Sequence, residues 1–270
     1  MPVSLDQIIA ATRQKVAESK RAADFRDLER RSEAHTPRGL RRALESKGEQ
    51  AVAILAELKK ASPSRGLIRA NFDVESLARE LELAGAAALS VLTDEKFFQG
   101  SLENLQRASS STKLPCLRKD FILDEFQILE ARAHSADAIL LIAAALSQAE
   151  LVALAGAARN HGLDVLCEVH DEDELERAIA AGCDLIGVNS RDLRTFQVDL
   201  GTALRLGRLI PNHVVRVAES GIHSGADIAR LRTSGYQAFL VGESLMKAES
   251  PGQALRTLLT EAVTAVPSPA

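Results

Sequence analysis

The chain has 270 residues, 46% hydrophobic and 26% charged, with a formal net charge of −4. Charges of both signs are interspersed, which argues against a nucleic-acid binder, where a basic stripe interleaved with aromatics is expected; no apolar run approaches the roughly 18 residues of a membrane span. Aromatic residues are only 3%, with no Trp and one Tyr, so the core is built from Ala, Leu, Ile and Val, the usual filling of parallel strands covered by helices.

The first 20 residues contain no apolar run of signal-peptide length, which predicts a protein that is not exported. Residues 1–48 are highly charged, with apolar positions at helical spacing in Ile8, Ile9, Val16, Phe25, Leu28, Leu40 and Leu44. They predict a helical N-terminal extension, interrupted at Pro37 and Gly39.

From Ala51 onward, short apolar runs recur at 52–58, 87–92, 115–119, 138–142, 165–169, 185–188, 214–218 and 238–241. Amphipathic helical patterns lie between them at 74–83, 125–133, 148–159, 172–180, 201–209 and 226–232. Strands alternating with helices imply parallel pairing through right-handed crossovers. An open doubly wound sheet would carry a GxGxxG turn after its first strand, and none is present; eight units in a chain near the roughly 250 residues typical of the fold predict a closed (β/α)₈ barrel. The expectation is one α/β domain over 1–270, a TIM barrel with the helical extension in front.

In such barrels chemistry resides at the C-terminal ends of the strands. Reading those ends in order gives Glu57 and Lys59, Thr93 and Asp94, Arg118, Lys119 and Asp120, Glu168, Asn189 and Arg191, then Glu219 and Ser220. Any one of these suits an ion pair or a solvated loop. Glu57, Lys59, Lys119, Glu168, Asn189 and Glu219 together, on five strands at one mouth, point to a catalytic centre, because unpaired buried charges are too costly to accumulate idly. The last two strands end in Glu219-Ser220-Gly221-Ile222 and Val241-Gly242-Glu243-Ser244. A glycine after one strand is commonly a plain turn. Two such turns, at the loops that often bind phosphate in this fold, predict an anion held by backbone N–H groups with help from a helix start.

The three cysteines, Cys116, Cys167 and Cys183, are odd in number and lack metal-ligand spacing, so a reducing, cytoplasmic compartment fits. Strand alternation turns Cys167 away from Glu168 into the outer core. His170 reads as a helix-start residue rather than a relay, and the acidic run 171–174 as a solvated first turn rather than a metal site. The stretch 62–71, rich in Ser, Gly and Arg, is a candidate lid.

The segments 56–64 (Ala-Glu-Leu-Lys-Lys-Ala-Ser-Pro-Ser), 117–122 (Leu-Arg-Lys-Asp-Phe-Ile), 167–170 (Cys-Glu-Val-His), 187–193 (Gly-Val-Asn-Ser-Arg-Asp-Leu), 218–222 (Ala-Glu-Ser-Gly-Ile) and 240–246 (Leu-Val-Gly-Glu-Ser-Leu-Met) resemble, in order, the signature segments of the indole-3-glycerol-phosphate synthase family. That resemblance spans nearly the whole chain. It implies ring closure of 1-(2-carboxyphenylamino)-1-deoxyribulose 5-phosphate to indole-3-glycerol phosphate, with loss of carbon dioxide and water, and neither metal nor organic cofactor. By the same matching, Lys119 resembles the general acid at the ketone and Lys59 the candidate acid for dehydration, with the division between them open. Glu168 matches the base. Glu57 would orient Lys59, Glu219 would border the sugar portion, and Asn189 would hydrogen-bond near the reacting centre. Arg191 would hold the anthranilate carboxylate, with Ser62 helping there or at the phosphate. Ser220, Gly221, Gly242, Glu243 and Ser244 would bind the phosphate, Glu243 through its backbone alone because its carboxylate repels a dianion; many relatives are small there. The partner expected is a small phosphorylated substrate, with no nucleic acid and no membrane, and the protein itself a monomer or a weak homodimer. The alternatives are another phosphate-binding barrel such as phosphoribosylanthranilate isomerase, which wants a Cys and Asp acid–base pair at strand ends, or a catalytically silent scaffold, which has no need of the charged mouth.

Overall fold

Each of the eight apolar runs forms a strand: β1 (Ala53–Leu58), β2 (Ala88–Leu92), β3 (Cys116–Lys119), β4 (Ala138–Ile142), β5 (Asp164–Val169), β6 (Leu185–Asn189), β7 (Val215–Glu219) and β8 (Ala238–Val241). All pair in parallel and β8 returns to β1, closing the barrel. The computed structural model describes residues 4–192 and 195–265; Leu193 of the segment 187–193 and both ends of the expected 1–270 domain lie outside the described residues.

The runs are nearly continuous in apolar character because both faces of every strand are covered. Ala53, Leu55, Ala88, Leu117, Leu140, Leu166, Leu185, Val215, Val217 and Leu240 fill the interior, while the alternate residues, among them Ile54, Leu89, Ile139, Cys167 and Ile186, pack outward under the helices. Cys167 therefore faces the outer core, as alternation requires.

The crossover helices are α4 (Val74–Leu83), α5 (Glu95–Phe98), α6 (Leu102–Ser111), α7 (Glu125–Ala133), α8 (Gln148–Asn160), α9 (Glu172–Ala180), α10 (Leu200–Gly207) and α11 (Gly225–Arg232), with α12 (Glu243–Lys247) and α13 (Pro251–Thr264) closing the chain. Their starts are fixed locally. Asp73, Asp94, Ser101, Asp124, Ser147, Asp171, Asp199, Ser224 and Ser250 each accept a backbone N–H of the first turn, satisfying donors that a helix start leaves open. The acidic run after β5 is such a start, with Asp171 as cap, and among the described residues no group of three or more His, Cys, Asp or Glu side chains could hold a metal ion.

Three helices precede the barrel, α1 (Leu5–Ala22), α2 (Phe25–Glu33) and α3 (Leu40–Gln50). The third plugs the barrel at the N-terminal ends of the strands: Leu40 and Leu44, both fully buried, join the interior layer of Ala53, Leu55, Ala238 and Val215. The loop before it is held by Arg38, whose guanidinium donates to both oxygens of the buried Asp137 at the foot of β4. No described helix is long and apolar enough to cross a membrane.

Candidate active site

With the lower end filled, the interior opens only toward the C-terminal ends of the strands. A cavity of about 320 Å³ lies there, within the range of small-molecule sites. Strand register sets its floor: Lys119 stands level with Leu92, Glu168 with Ile142, and Asn189 with Glu219. These are inward positions, so their polar ends meet. Every residue expected at the site lines this cavity: Glu57, Lys59, Ser62, Lys119, Glu168, Asn189, Arg191, Glu219, Ser220, Gly221, Gly242, Glu243 and Ser244.

Lys119 is the hub. Its ammonium donates to Glu168 Oε2 at 2.7 Å and to Glu219 Oε2 at 3.1 Å. Burial works against the charge, but Glu168, Glu219 and Glu57 outweigh it and hold the ammonium above the usual lysine range. Burial likewise opposes ionisation of Glu168, yet the positive charge of Lys119 and His170 prevails, leaving its carboxyl well below the ordinary range. Glu219 is the exception. Its burial and the repulsion of Glu168 push it up to about 8, against the attraction of Lys119, and its Oε1 is buried with no hydrogen-bond partner. Of the three groups, Glu219 is thus the one most ready to take up a proton.

A second pair stands beside this hub, with Lys59 donating to Glu57 Oε1 at 2.6 Å. Asn189 links the groups: its Nδ2 donates to Glu168 Oε1 at 3.1 Å, and its Oδ1 accepts from the Ser220 hydroxyl at 2.8 Å and the Arg191 backbone at 3.0 Å. Two glycines make room for the carboxylates. A Cβ on Gly187 would stand 2.1 Å from Glu219 Oε1, and one on Gly242 would stand 2.6 Å from Glu57 Oε1; neither position tolerates a side chain without moving the acid.

Around the rim, Ser220 and Gly221 both adopt positive φ, 66° and 76°, which turns the chain sharply after β7. Gly242 precedes α12, whose first N–H groups have no partner within the helix. The Glu243 carboxylate is neutralised by Lys247 at 2.6 Å, Arg65 at 3.1 Å and Arg191 at 3.7 Å. The candidate lid begins as a short hairpin, with Ala61–Ser62 against Gly66–Leu67. Its far end is pinned by Arg69, which donates to the carbonyls of Met246 and Ala248.

Several strand-end residues are structural. Arg118 points outward, donating to the Gln127 carbonyl and Asp120 and pairing with Glu130; Thr93 donates to Asp120, and Asp94 caps α5. The apolar wall was not expected. Leu5 and Ile8 of α1, with Phe98, Phe121 and Phe196, line the cavity; three of only eight phenylalanines falling just beyond strand ends is the signal that could have marked it. His170, set aside on sequence, lies behind Glu168 with Nε2 3.4 Å from its Oε1. None of the cysteines lines the cavity; all three are buried elsewhere, so the Cys and Asp pair of the isomerase alternative is not at this mouth.

The arrangement brings two lysine side chains, each paired with a glutamate, and a rim of glycine turns into one concave, partly apolar space. Comparisons with known proteins follow the same line. The family model described as indole-3-glycerol phosphate synthase matches residues 5–258. An indole-3-glycerol phosphate synthase of Koribacter versatilis is 60% identical over 259 residues, covering 96% of this chain and 100% of the relative. One of Sulfurimonas denitrificans is 45% identical, covering 94% and 97%. Among solved structures, a 3-hexulose-6-phosphate synthase superposes with a TM-score of 0.63 at 15% identity, over 78% of this chain and 99% of that one. A thiamine phosphate pyrophosphorylase of Pyrococcus furiosus gives 0.60 at 18%, over 82% and 99%. These two share the barrel alone.

Proposed function

The chain belongs to the indole-3-glycerol phosphate synthase family, and from that premise we propose how the groups at its barrel mouth divide the work. The reaction is ring closure, decarboxylation and dehydration of 1-(2-carboxyphenylamino)-1-deoxyribulose 5-phosphate, a carboxy-lyase step of tryptophan biosynthesis. The anthranilate ring carbon attacks the ketone, and charge grows on the ketone oxygen. Lys119 neutralises that charge and gives up a proton. Loss of carbon dioxide and then of the new hydroxyl completes the indole; Lys59, held by Glu57, serves the departing water, while Glu168 takes the remaining ring proton. Loss of carbon dioxide breaks the bond from the ring carbon to the carboxylate, whose electron pair restores the benzene ring; in the dehydration the C–H pair beside the nitrogen forms the new C=C of the five-membered ring as the C–OH bond breaks and water leaves. Glu219, whose charge burial and Glu168 both disfavour, is the second acceptor of the Lys119 ammonium and steadies it without drawing it out of reach of the substrate.

Asn189 holds the substrate near the reacting centre, and Arg191 takes the anthranilate carboxylate in a charge-assisted contact, with Ser62 beside it. The apolar wall of Phe98, Phe121, Leu5 and Ile8 suits the anthranilate ring. The phosphate rests against Ser220, Gly221, Gly242, Ser244 and the Glu243 backbone. The proposal needs no metal or organic cofactor, since ammonium and carboxylate groups supply both directions of proton transfer. We further read the chain as one barrel domain over 1–270, acting in the cytoplasm as a monomer or weak homodimer, with no nucleic-acid or membrane partner.

The observation that carries the assignment of roles is the Lys119 ammonium held 2.7 Å from Glu168 and 3.1 Å from Glu219 on the cavity floor. Purified chain supplied with the substrate should generate indole fluorescence, with Lys119→Ala and Glu168→Gln each losing at least a hundredfold in kcat. Near-normal turnover by either variant would remove its assigned role, and a silent wild-type chain would remove the activity.

A further inference from the structure

His170 does not touch the cavity, yet it is built into the site from behind. It leaves β5 two residues after Glu168, and its ring is fixed on one side by Glu174 of α9, which accepts from Nδ1 at 3.0 Å and from the His170 backbone at 2.8 Å. On the other side Nε2 is sealed from solvent without an aligned hydrogen bond and lies 3.4 Å from Glu168 Oε1. The charged groups facing Glu168 are Lys119 from β3, Glu219 from β7 and His170 itself; those facing the imidazole are Glu168 and Glu174. Burial disfavours the imidazolium, but the two flanking carboxylates prevail and raise its pKa to about 10.

This matters because Lys119 is a counter-charge that the reaction consumes. Once it has protonated the ketone oxygen, Glu168 is left beside Glu219 with no ammonium between them, and an unpaired buried carboxylate is strongly disfavoured. We propose that His170 is a positioning residue for Glu168: clamped by Glu174, its imidazolium stays behind the carboxylate through the cycle, orienting it and keeping it ionised until it takes the ring proton. The inference rests on the reading of Glu168 as the base. His170 itself exchanges no atom with the substrate.

The test is the pH profile of kcat for His170→Asn. Losing a cation raises the Glu168 pKa, so the acid limb should move upward by about one unit, with kcat down roughly tenfold and KM within twofold. Glu174→Gln should move the limb the same way by less. A wild-type spectrum with ¹⁵N-histidine, which needs no variant to fold, should show one imidazole doubly protonated at pH 8. An unmoved acid limb with kcat within twofold, or no charged imidazole at pH 7, overturns the proposal. Glu168→Gln separates the two readings: if it is inactive while His170→Asn is normal, the base stands and this inference falls; if it is active, the base reading itself falls.

Discussion

At the foot of the barrel Asp137 is fully buried, and both of its oxygens are used: they accept from the Arg38 guanidinium, the Arg38 and Cys116 backbones and the His35 ring. At the mouth Glu219 is buried as deeply, but one oxygen has no partner and the other shares Lys119 with Glu168. Each is a buried carboxylate beside a cation, yet the two titrate in opposite directions, because Glu219 must share its one cation with a second carboxylate. Burial opposes charge in both, yet His35 and Arg38 hold Asp137 below the ordinary range, whereas Glu219 is driven up to about 8. A buried charge whose partners are all protein is a fastening. One that is left short keeps a site for something that arrives later.

Breaking the mouth should cost activity with little loss of fold. Lys119→Ala removes the hub and should lower kcat by about a thousandfold, followed by indole fluorescence, while the midpoint of urea unfolding moves little, because Glu168 and Glu219 relieve their repulsion by sharing a proton. Breaking the foot should do the reverse. Arg38→Ala strands the Asp137 carboxylate and unfastens the extension from β4, so about 3 kcal/mol of stability should disappear, with kcat per folded molecule within twofold. An Arg38→Ala protein of normal stability, or a Lys119→Ala protein that unfolds, would erase the distinction.

Much of the mouth was legible in the sequence. Apolar runs alternating with helical patterns define parallel β/α units, and because side chains alternate along strands, Glu57, Lys119, Glu168, Asn189 and Glu219 had to share the interior if the sheet closed. What spacing could not carry was direction. Arg118 and Lys119 are adjacent in β3, so alternation sets them on opposite faces, but both are polar and the apolar run before them does not say which face is the interior. Partnership across long separations was equally hidden: Arg38 with Asp137, or Leu5 and Ile8 of the extension with the cavity. His170 was set aside as a helix-start residue, and it does sit at one; a local reading has no means of seeing that the same ring backs onto Glu168.

Glu219→Gln sharpens the contrast through pH. The folded state binds a proton at Glu219 up to about pH 8, the unfolded chain only up to about 4.5, so this group's stabilising contribution is present below 4.5 and is lost as pH rises through 8. Asp137 has the opposite sign. Its contribution is present above the ordinary 3.8 and is lost as pH falls through its lowered folded value. The glutamine mimics the protonated acid, so the variant should gain on the wild type between pH 5 and 8, by on the order of 1 kcal/mol at the upper end, and keep its acid unfolding unchanged. Since the amide oxygen still accepts from Lys119, kcat should fall no more than about tenfold. Parallel stability curves for the two proteins would show that Glu219 is ionised throughout.

Between these extremes lies Glu243, a carboxylate on the rim, partly exposed and met by Lys247, Arg65 and Arg191. It is held below the ordinary range: burial opposes its charge, but Lys247, Arg65 and Lys59 outweigh burial. If only its backbone serves the phosphate, the side chain is a standing competitor for cations that an anionic substrate could use. Glu243→Ser should then lower KM by about two- to fivefold at low ionic strength, with kcat within twofold. The gain should fade in 0.5 M salt, where the Debye length falls to about 4 Å and rim charges no longer reach the ligand. A rise in KM would mean the reverse, that Glu243 holds Arg65 and Arg191 in place for the substrate and so belongs with Asp137 among the fastenings. The salt dependence distinguishes the two cases, because a lost fastening persists at high salt and a relieved repulsion does not.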